Sequence, residues 1–164
     1  MYKLKIPGNT MIKLKVGDTA PDINAIDQDG NALNLKDFSG SKVILFFYPK
    51  ANTPGCIAEA CNLRDHYSVL LDKGFKIIGV SADDQKRQTR FKEKQNLPFP
   101  LIADTDKKVI NDYGVWGPKK FMGKEYDGIH RTTFVISETG KIEQLFTKVK
   151  TKEHTEQILE SYNN

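Results

Sequence analysis

One stretch in the first third of the chain constrains the fold most: an apolar run, a short polar loop and a helix start follow one another. Residues 43–47 are Val-Ile-Leu-Phe-Phe, a composition typical of a central strand that is buried on both faces. Further on, Thr53 and Pro54 suit the N-cap and the first position of a helix. Cys56 is therefore predicted in the first helical turn, at the carboxyl end of a buried strand, where open α/β sheets usually place their sites.

This position makes Cys56 a candidate nucleophile. The first turn of a helix has unpaired backbone N–H groups and the positive end of the helix dipole, and both favour a thiolate over a thiol. The chain has 164 residues and two cysteines, Cys56 and Cys61. A domain of that size buries a sufficient core without disulfides. Both cysteines are therefore available for chemistry.

The remaining pattern alternates strands and helices. Apolar periodicity and turn signals predict strands near residues 22–26, 32–35, 43–47, 75–81, 101–104, 132–136 and 142–146. Helices are predicted near residues 56–71, 84–94, 107–113 and 152–162, and a long loop over 114–129. We therefore predict an α/β, thioredoxin-like fold: a central mixed β-sheet flanked by helices, with an N-terminal β-hairpin.

Residues 11–164 are predicted to form this single domain. Met11 is a second plausible start, so residues 1–10 are an upstream start, a disordered extension or a remnant of cloning. The beginning of the chain lacks the features of a secretory signal, and no apolar run is long enough to span a bilayer. We expect a cytoplasmic protein without a membrane partner.

The charge pattern argues against nucleic-acid binding. The formal net charge is +4, and basic and acidic residues are largely interleaved. The most basic segment, residues 86–94, is interrupted by Glu93. Because nucleic-acid recognition needs a concentrated basic face, we predict a solvated surface instead.

The spacing of the two cysteines predicts a moving part. On an ideal helix, residues five apart differ in direction by about 140° and have Cα atoms about 8.7 Å apart, whereas a disulfide needs less than about 7 Å. A bond between Cys56 and Cys61 would therefore require the first helical turns to unwind. A static bridge and two inert core thiols are the alternatives. Adding His66 makes no metal site, because the three side chains would point around the helix.

The residues around Cys56 resemble those of a known family. Pro49, Thr53 and Cys56 fit the P-x-x-x-T-x-x-C signature of peroxiredoxins, and Arg131 fits the later arginine of that family. Cys61 is similarly placed in the bacterioferritin-comigratory, or Q-type, subgroup of thiol peroxidases. Further matches to this subgroup are residues 113–117 and Gly128, and the departures are Ile57, where Thr is common, and Ala51, where Asp is frequent.

The resemblance implies a reaction and a role for each site residue. Cys56 would be the peroxidatic cysteine that attacks a peroxide, and Cys61 the resolving cysteine that forms a disulfide with the resulting sulfenic acid. Glu59 would hold the Arg131 guanidinium, and Pro49 would shield the thiolate. The expected donors to the peroxide are the Thr53 hydroxyl, the N–H groups of Gly55 and Cys56, and Arg131.

The resemblance also implies the partners. Recycling would use thioredoxin or a similar dithiol reductant, since the sequence carries no cofactor motif and no third cysteine. A monomer is expected, because both cysteines lie in one helix. Two other functions stay open at this point: a redox relay that passes oxidation to a partner protein, and a binding module that does not need Cys56.

Overall fold

The computed structural model describes residues 12–163, so the predictions for residues 1–10 and for a start at Met11 lie outside the described residues. The strands are β1 (Asn24–Ile26), β2 (Ala32–Asn34), β3 (Lys42–Phe47), β4 (Phe75–Ser81), β5 (Leu101–Ala103), β6 (Trp116–Phe121), β7 (Lys124–Ile129), β8 (Thr132–Ile136) and β9 (Ile142–Phe146). The α-helices are α1 (Pro54–Asp65), α2 (Tyr67–Asp72), α3 (Gln85–Lys94), α4 (Lys108–Asp112) and α5 (His154–Glu160). Two 3₁₀ turns are Leu35–Phe38 and Thr151–Glu153.

A five-stranded mixed sheet organises the fold, with strand order β5-β4-β3-β8-β9. Strand β3 runs parallel to β4 and antiparallel to β8, and β9 runs antiparallel to β8. Phe47, the last residue of β3, is paired with Val80 on one side and with Thr132 on the other. The end of β3 therefore lies beside the start of β8, which brings Arg131 next to the helix that carries Cys56. The predicted thioredoxin-like arrangement is confirmed.

Both faces of the central strand are buried, which explains its uninterrupted apolar sequence. Alternate residues of β3 point to opposite faces, and each set belongs to a different apolar cluster. One cluster contains Leu45 and Phe47 with partners such as Tyr113, Phe134 and Ile142. The other contains Ile44 and Phe46 with residues from helices α1, α3 and α5, among them Cys56, Leu63, Phe91 and Ile158. The reactive-thiol candidate is thus part of the helix-side core.

The two predicted hairpins, β1–β2 and β8–β9, are confirmed, but the helix predicted over residues 56–71 is interrupted. Helix α1 ends at Asp65, and α2 begins at Tyr67. His66, between them, places its Nδ1 2.8 Å from the carbonyl oxygen of Asn62, the acceptor that a continuous helix would offer to the His66 N–H. The His66 imidazole therefore takes the place of the His66 backbone N–H beside the Asn62 carbonyl oxygen. The last predicted helix is also shorter, since a 3₁₀ turn precedes α5.

The predicted loop over residues 114–129 is wrong: most of it is an antiparallel hairpin of β6 and β7. Met122 and Gly123 connect the strands, with φ angles of 51° and 80°, as in the two-residue turns that follow the right-handed twist of a hairpin. Met is an unusual first residue for such a turn. Most of the hairpin is exposed, so its strands lack the apolar alternation that would have revealed them.

Gly79 on β4 offers a direct test of core packing. A Cβ there would lie 2.7 Å from Leu101 Cδ2 and 2.9 Å from Phe46 Cζ. We expect Gly79→Ala to lower the free energy of unfolding by about 1–3 kcal/mol, because the buried neighbours cannot move freely. The control is Gly128→Ala on β7, whose Cβ meets the flexible Lys119 side chain at 3.1 Å. Chemical denaturation measures both variants, and equal losses would contradict this account of the sheet.

Candidate active site

The loop between β3 and α1 is held by a buried carboxylate. The Ala51 N–H donates to Asp83 Oδ2 at 2.7 Å, and the Ser81 hydroxyl donates to the same oxygen at 2.7 Å. Asn52 has a φ of 62°, a left-handed conformation that Asn adopts more readily than most residues. Asp84, the next residue after Asp83, caps α3 by accepting the Arg87 N–H at 2.8 Å. The start of α3 therefore fixes the path of the loop that precedes Cys56.

Helix α1 begins as predicted, with Thr53 at the N-cap position followed by Pro54. The Thr53 hydroxyl donates to the carbonyl oxygen of Lys50 at 2.7 Å, and within the described residues its side chain makes no capping hydrogen bond. The N–H groups of Gly55 and Cys56 lie in the first turn, where no helical acceptor exists. They are left available for an oxygen atom that binds there.

Arg131 joins the thiol to a buried carboxylate. One guanidinium nitrogen, Nη2, donates to Cys56 Sγ at 3.4 Å, and the other, Nη1, donates to Glu59 Oε1 at 2.7 Å. Cys56 and Glu59 lie three residues apart on α1, so they share one face of the helix. Both are fully buried, whereas the Arg131 side chain is 22% exposed. The structure therefore brings together the cysteine, the glutamate and the arginine that the sequence singled out.

The charges of this group are coupled. Burial raises the pKa of Glu59 to about 7, although Arg131 and the Thr133 hydroxyl act in the opposite direction. Burial alone would lower the pKa of Arg131, but Glu59 and Cys56 raise it above its ordinary value. Arg131 therefore stays charged, and Glu59 is the group whose protonation changes near neutral pH. A permanent cation therefore stands beside Cys56 Sγ.

Two polar residues behind Glu59 were not predicted as part of the site. His154, on α5, places its Nε2 2.8 Å from Thr133 Oγ1 and 3.5 Å from Glu59 Oε2. Its Nδ1 is 3.0 Å from Gln157 Oε1. His154 is fully buried, and burial lowers its pKa to about 4. No pattern in the nearby sequence predicts this cluster, because its residues meet only when β8 and α5 pack against α1.

Cys61 also lies on α1 but belongs to different surroundings. It is partly buried, and its Sγ is 3.4 Å from Gln95 Oε1, just after α3. Both cysteines are free thiols. Because Cys56 and Cys61 are five residues apart in one continuous helix, their side chains point in different directions. The structure is thus that of the reduced protein with α1 fully formed.

A cleft of about 400 Å³ adjoins the site, between the loop at Pro49, the start of α3 and the β6–β7 hairpin. Lys119 of the hairpin lines it and donates to the carbonyl oxygen of Ile129 at 2.8 Å. Burial lowers the pKa of Lys119, and the charge of Arg131 adds to this effect, whereas Cys56 opposes it. The sequence analysis predicted that the charged residues form a solvated surface, but Lys119 is half-buried and within electrostatic reach of the thiol.

Comparison with known proteins identifies the family. The model of the AhpC/TSA family matches residues 16–145. Peroxiredoxin Bcp of Escherichia coli K12 is 48% identical over 149 residues, which cover 91% of this chain and 96% of the relative. The chain belongs to the AhpC/TSA family of peroxiredoxins. Peroxiredoxin Bcp of Bacillus subtilis 168 is 41% identical over 148 residues, 90% of this chain and 94% of the relative.

Solved structures of peroxiredoxins agree with this result. The bacterioferritin comigratory protein of Xanthomonas campestris, studied for its alkyl peroxide reduction, has a TM-score of 0.83 and 30% identity, over 93% of this chain and 98% of that chain. Peroxidoxin BcpB of Mycobacterium tuberculosis has a TM-score of 0.80 and 32% identity, over 92% and 97%. This peroxiredoxin is accordingly a thiol peroxidase, and the predicted enzyme class is confirmed.

Among residues 12–163, no helix combines the length and apolar character that crossing a membrane requires. Over the same residues, no three His, Cys, Asp or Glu side chains are grouped so that they could hold a metal ion.

The raised pKa of Glu59 predicts a pH-dependent stability difference. Its folded pKa of about 7 exceeds the ordinary value of 4.5, so the folded state binds the extra proton, and the Glu59 contribution to stability falls as pH rises from 4.5 to 7. Glu59→Gln removes this loss. We expect the variant to become more stable relative to the wild type over that range, by about 2–3 kcal/mol.

The matched control is Glu143→Gln. Although burial would raise the pKa of Glu143, Lys42 and Tyr162 lower it overall, so this variant should lose stability relative to the wild type as pH rises. Denaturant unfolding at several pH values measures both differences. If the Glu59→Gln difference did not depend on pH, the buried carboxylate would not have the proposed proton affinity.

Proposed function

We propose that Cys56 is the peroxidatic cysteine of this enzyme. Its thiolate attacks one peroxide oxygen, the O–O bond breaks, and Cys56 becomes a sulfenic acid while the other oxygen leaves as water or an alcohol after taking up a proton. Hydrogen peroxide and organic hydroperoxides are the proposed substrates. The observation that carries the assignment is the 3.4 Å contact between Arg131 Nη2 and Cys56 Sγ at the start of α1.

The proposed donors act on charge that moves during this step. Negative charge passes from sulfur toward the leaving oxygen, so fixed donors stabilise the transition state more than the bound peroxide. Arg131 and the N–H groups of Gly55 and Cys56 are such donors. Thr53 already gives its hydroxyl proton to Lys50, so in this arrangement its oxygen accepts a hydrogen bond from the peroxide; donating to the peroxide would require the hydroxyl to turn away from Lys50.

Pro49 and Glu59 support the reaction without reacting themselves. Pro49 is partly buried at the loop before α1, where its fixed φ holds the loop and its ring limits water near the fully buried Cys56. Glu59 Oε1 accepts a hydrogen bond from Arg131 Nη1 at 2.7 Å. That charge-assisted bond fixes the second guanidinium nitrogen toward sulfur.

Cys61 is proposed as the resolving cysteine. Its sulfur attacks the sulfenic sulfur of Cys56, releases water and forms the Cys56–Cys61 disulfide. Since both residues lie on α1, the first turns must unwind for the two sulfurs to meet. The partial exposure of Cys61 supports this role, because an accessible thiol can leave its position beside Gln95 without a rearrangement of the core.

A dithiol reductant then completes the cycle. Thioredoxin or a similar protein would donate two electrons by thiol–disulfide exchange and return both cysteines to thiols. The proposed cycle uses no cofactor. Reduction of the disulfide by a dithiol protein requires a reducing compartment such as the cytoplasm. A monomer suffices, because both cysteines belong to one helix.

Turnover of single-cysteine variants tests these roles. With thioredoxin as reductant, Cys56→Ser should abolish the consumption of hydrogen peroxide and of an organic hydroperoxide, because the nucleophile is missing. Cys61→Ser should still react once with peroxide but lose most thioredoxin-dependent turnover. Unchanged turnover in Cys61→Ser would exclude it as the resolving cysteine. Unchanged turnover in folded Cys56→Ser would contradict the proposed mechanism as a whole.

The required unwinding can be observed directly. Within residues 53–63, we expect amide hydrogen exchange to increase strongly from Ile57 onward when the wild type is oxidised to the intramolecular disulfide. Ile57 donates the first backbone bond of this helix, to Thr53, and the bonds donated from there onward must open. Cys61→Ser treated with the same oxidant is the control, since it cannot form this bond. Equal protection of these amides in the oxidised and reduced wild type would rule out the proposed disulfide.

A further inference from the structure

One oxygen of the buried Glu59 lacks a hydrogen bond. Oε1 accepts a hydrogen bond from Arg131 at 2.7 Å, but Oε2 is inaccessible to water and receives no well-formed hydrogen bond within the described residues, although the Thr133 hydroxyl is near enough to lower the pKa of Glu59. The atom stands 3.5 Å from Nε2 of His154. A buried carboxylate oxygen without a hydrogen bond lowers the free energy of unfolding. The protonation of His154, the neighbour of this oxygen, therefore matters for the stability of the site.

The hydrogen bonds of His154 fix its tautomer. The Gln157 side chain donates its Nε2 to the carbonyl oxygen of Lys148 at 2.9 Å, so its Oε1 is the acceptor, and Oε1 also accepts the Lys150 N–H at 3.0 Å. His154 Nδ1, 3.0 Å from that oxygen, must therefore carry a proton. In the neutral imidazole, Nε2 is then an acceptor.

Thr133 cannot satisfy both neighbours. Its hydroxyl has one proton, and it lies 2.8 Å from His154 Nε2. If the Thr133 hydroxyl donates this proton to His154 Nε2, it cannot also donate it to Glu59 Oε2. Two acceptors thus compete for a single donor, and one additional proton would satisfy both of them. On Oε2 of Glu59, such a proton could be donated to His154 or to Thr133.

We propose that Glu59 and His154 form a one-proton site, in which His154 is a positioning residue that controls, through Glu59, the charge that Arg131 presents to Cys56. With the proton in place Glu59 is neutral, and the full positive charge of Arg131 acts on the sulfur. Without the proton, the Glu59 carboxylate offsets that charge. This inference rests on the proposed role of Cys56 and extends it.

The charges that face this site agree with such a role. Arg131, at the start of β8, is the charged group that faces both Glu59 and His154. Cys56 on α1 and Lys119 of the β6–β7 hairpin interact electrostatically with Arg131. The pKa of Glu59 is raised to about 7 and that of His154 is lowered to about 4, in both cases chiefly by burial. Both directions favour the proton on Glu59 rather than on His154.

The test measures the pH dependence of Cys56 alkylation by iodoacetamide in a Cys61→Ser background, which leaves one thiol. His154→Gln can give an N–H to Glu59 Oε2 and so favours the carboxylate. We expect the pH of half-maximal reactivity to rise by about half a unit or more. Thr133→Val removes the hydroxyl for which Glu59 and His154 compete, and so favours binding of the additional proton to Glu59. This variant should therefore lower the pH of half-maximal reactivity.

Two controls make the result specific. His66→Gln is the same substitution at a histidine outside the site, 40% exposed, and should leave the profile unchanged. In a Glu59→Gln background, His154→Gln should produce no further shift, because the titrating carboxyl is gone. The second variant, Thr133→Val, decides the question alone if His154→Gln does not fold.

The outcomes separate this inference from the proposed mechanism. Opposite shifts in the two variants, both lost in the Glu59→Gln background, are the expected result. Unchanged profiles, or shifts that persist without Glu59, would overturn the one-proton site even when Cys56 still reacts rapidly with peroxide. Failure of the Cys61→Ser protein to react with peroxide at all would instead contradict the assignment of Cys56.

Discussion

The rest of the site depends on the two hydrogen bonds that the Arg131 guanidinium donates. The guanidinium joins the start of β8 to α1 by bonding Glu59 with one nitrogen and Cys56 with the other. This bridge exists because β3 pairs with β8 on one side and leads into α1 on the other. Removing one partner of a buried ion pair leaves an uncompensated charge, which is far more costly than losing an exposed pair. The sheet order and the buried glutamate are thus parts of one arrangement around sulfur.

Helix α1 serves two requirements that oppose each other. Its first turn provides unpaired N–H groups and the positive end of the helix dipole beside Cys56, whereas its regular geometry keeps Cys61 away from that sulfur. Just after Cys61, the side chain of Asn62 is tied to the C-terminal segment: it donates to the carbonyl oxygen of Lys152 at 3.0 Å and accepts the Thr155 N–H at 2.7 Å. These bonds tie the part of α1 that follows Cys61 to the C-terminal segment.

The sequence predicted the parts of the site that depend on local signals. The apolar run of β3, the Thr53–Pro54 helix start and the position of Cys56 follow from strand composition and capping chemistry. Arg131 and Glu59 became candidates only through the family resemblance, since they are 72 residues apart. His154 could not be assigned a role, because its partners Thr133 and Glu59 meet it only in the packed fold. The β6–β7 hairpin was missed for a different reason: its exposed strands carry no apolar alternation.

The central claim is that oxidation at Cys56 is converted, within one chain, into a disulfide with Cys61. Its most direct test is to treat the fully reduced protein with one equivalent of hydrogen peroxide, count the remaining thiols and determine the intact mass. The account predicts the loss of both thiols, the mass of a monomer with one internal disulfide, and full reversal by thioredoxin. A product that keeps one free thiol and gains oxygen, or a disulfide-linked dimer, would contradict it.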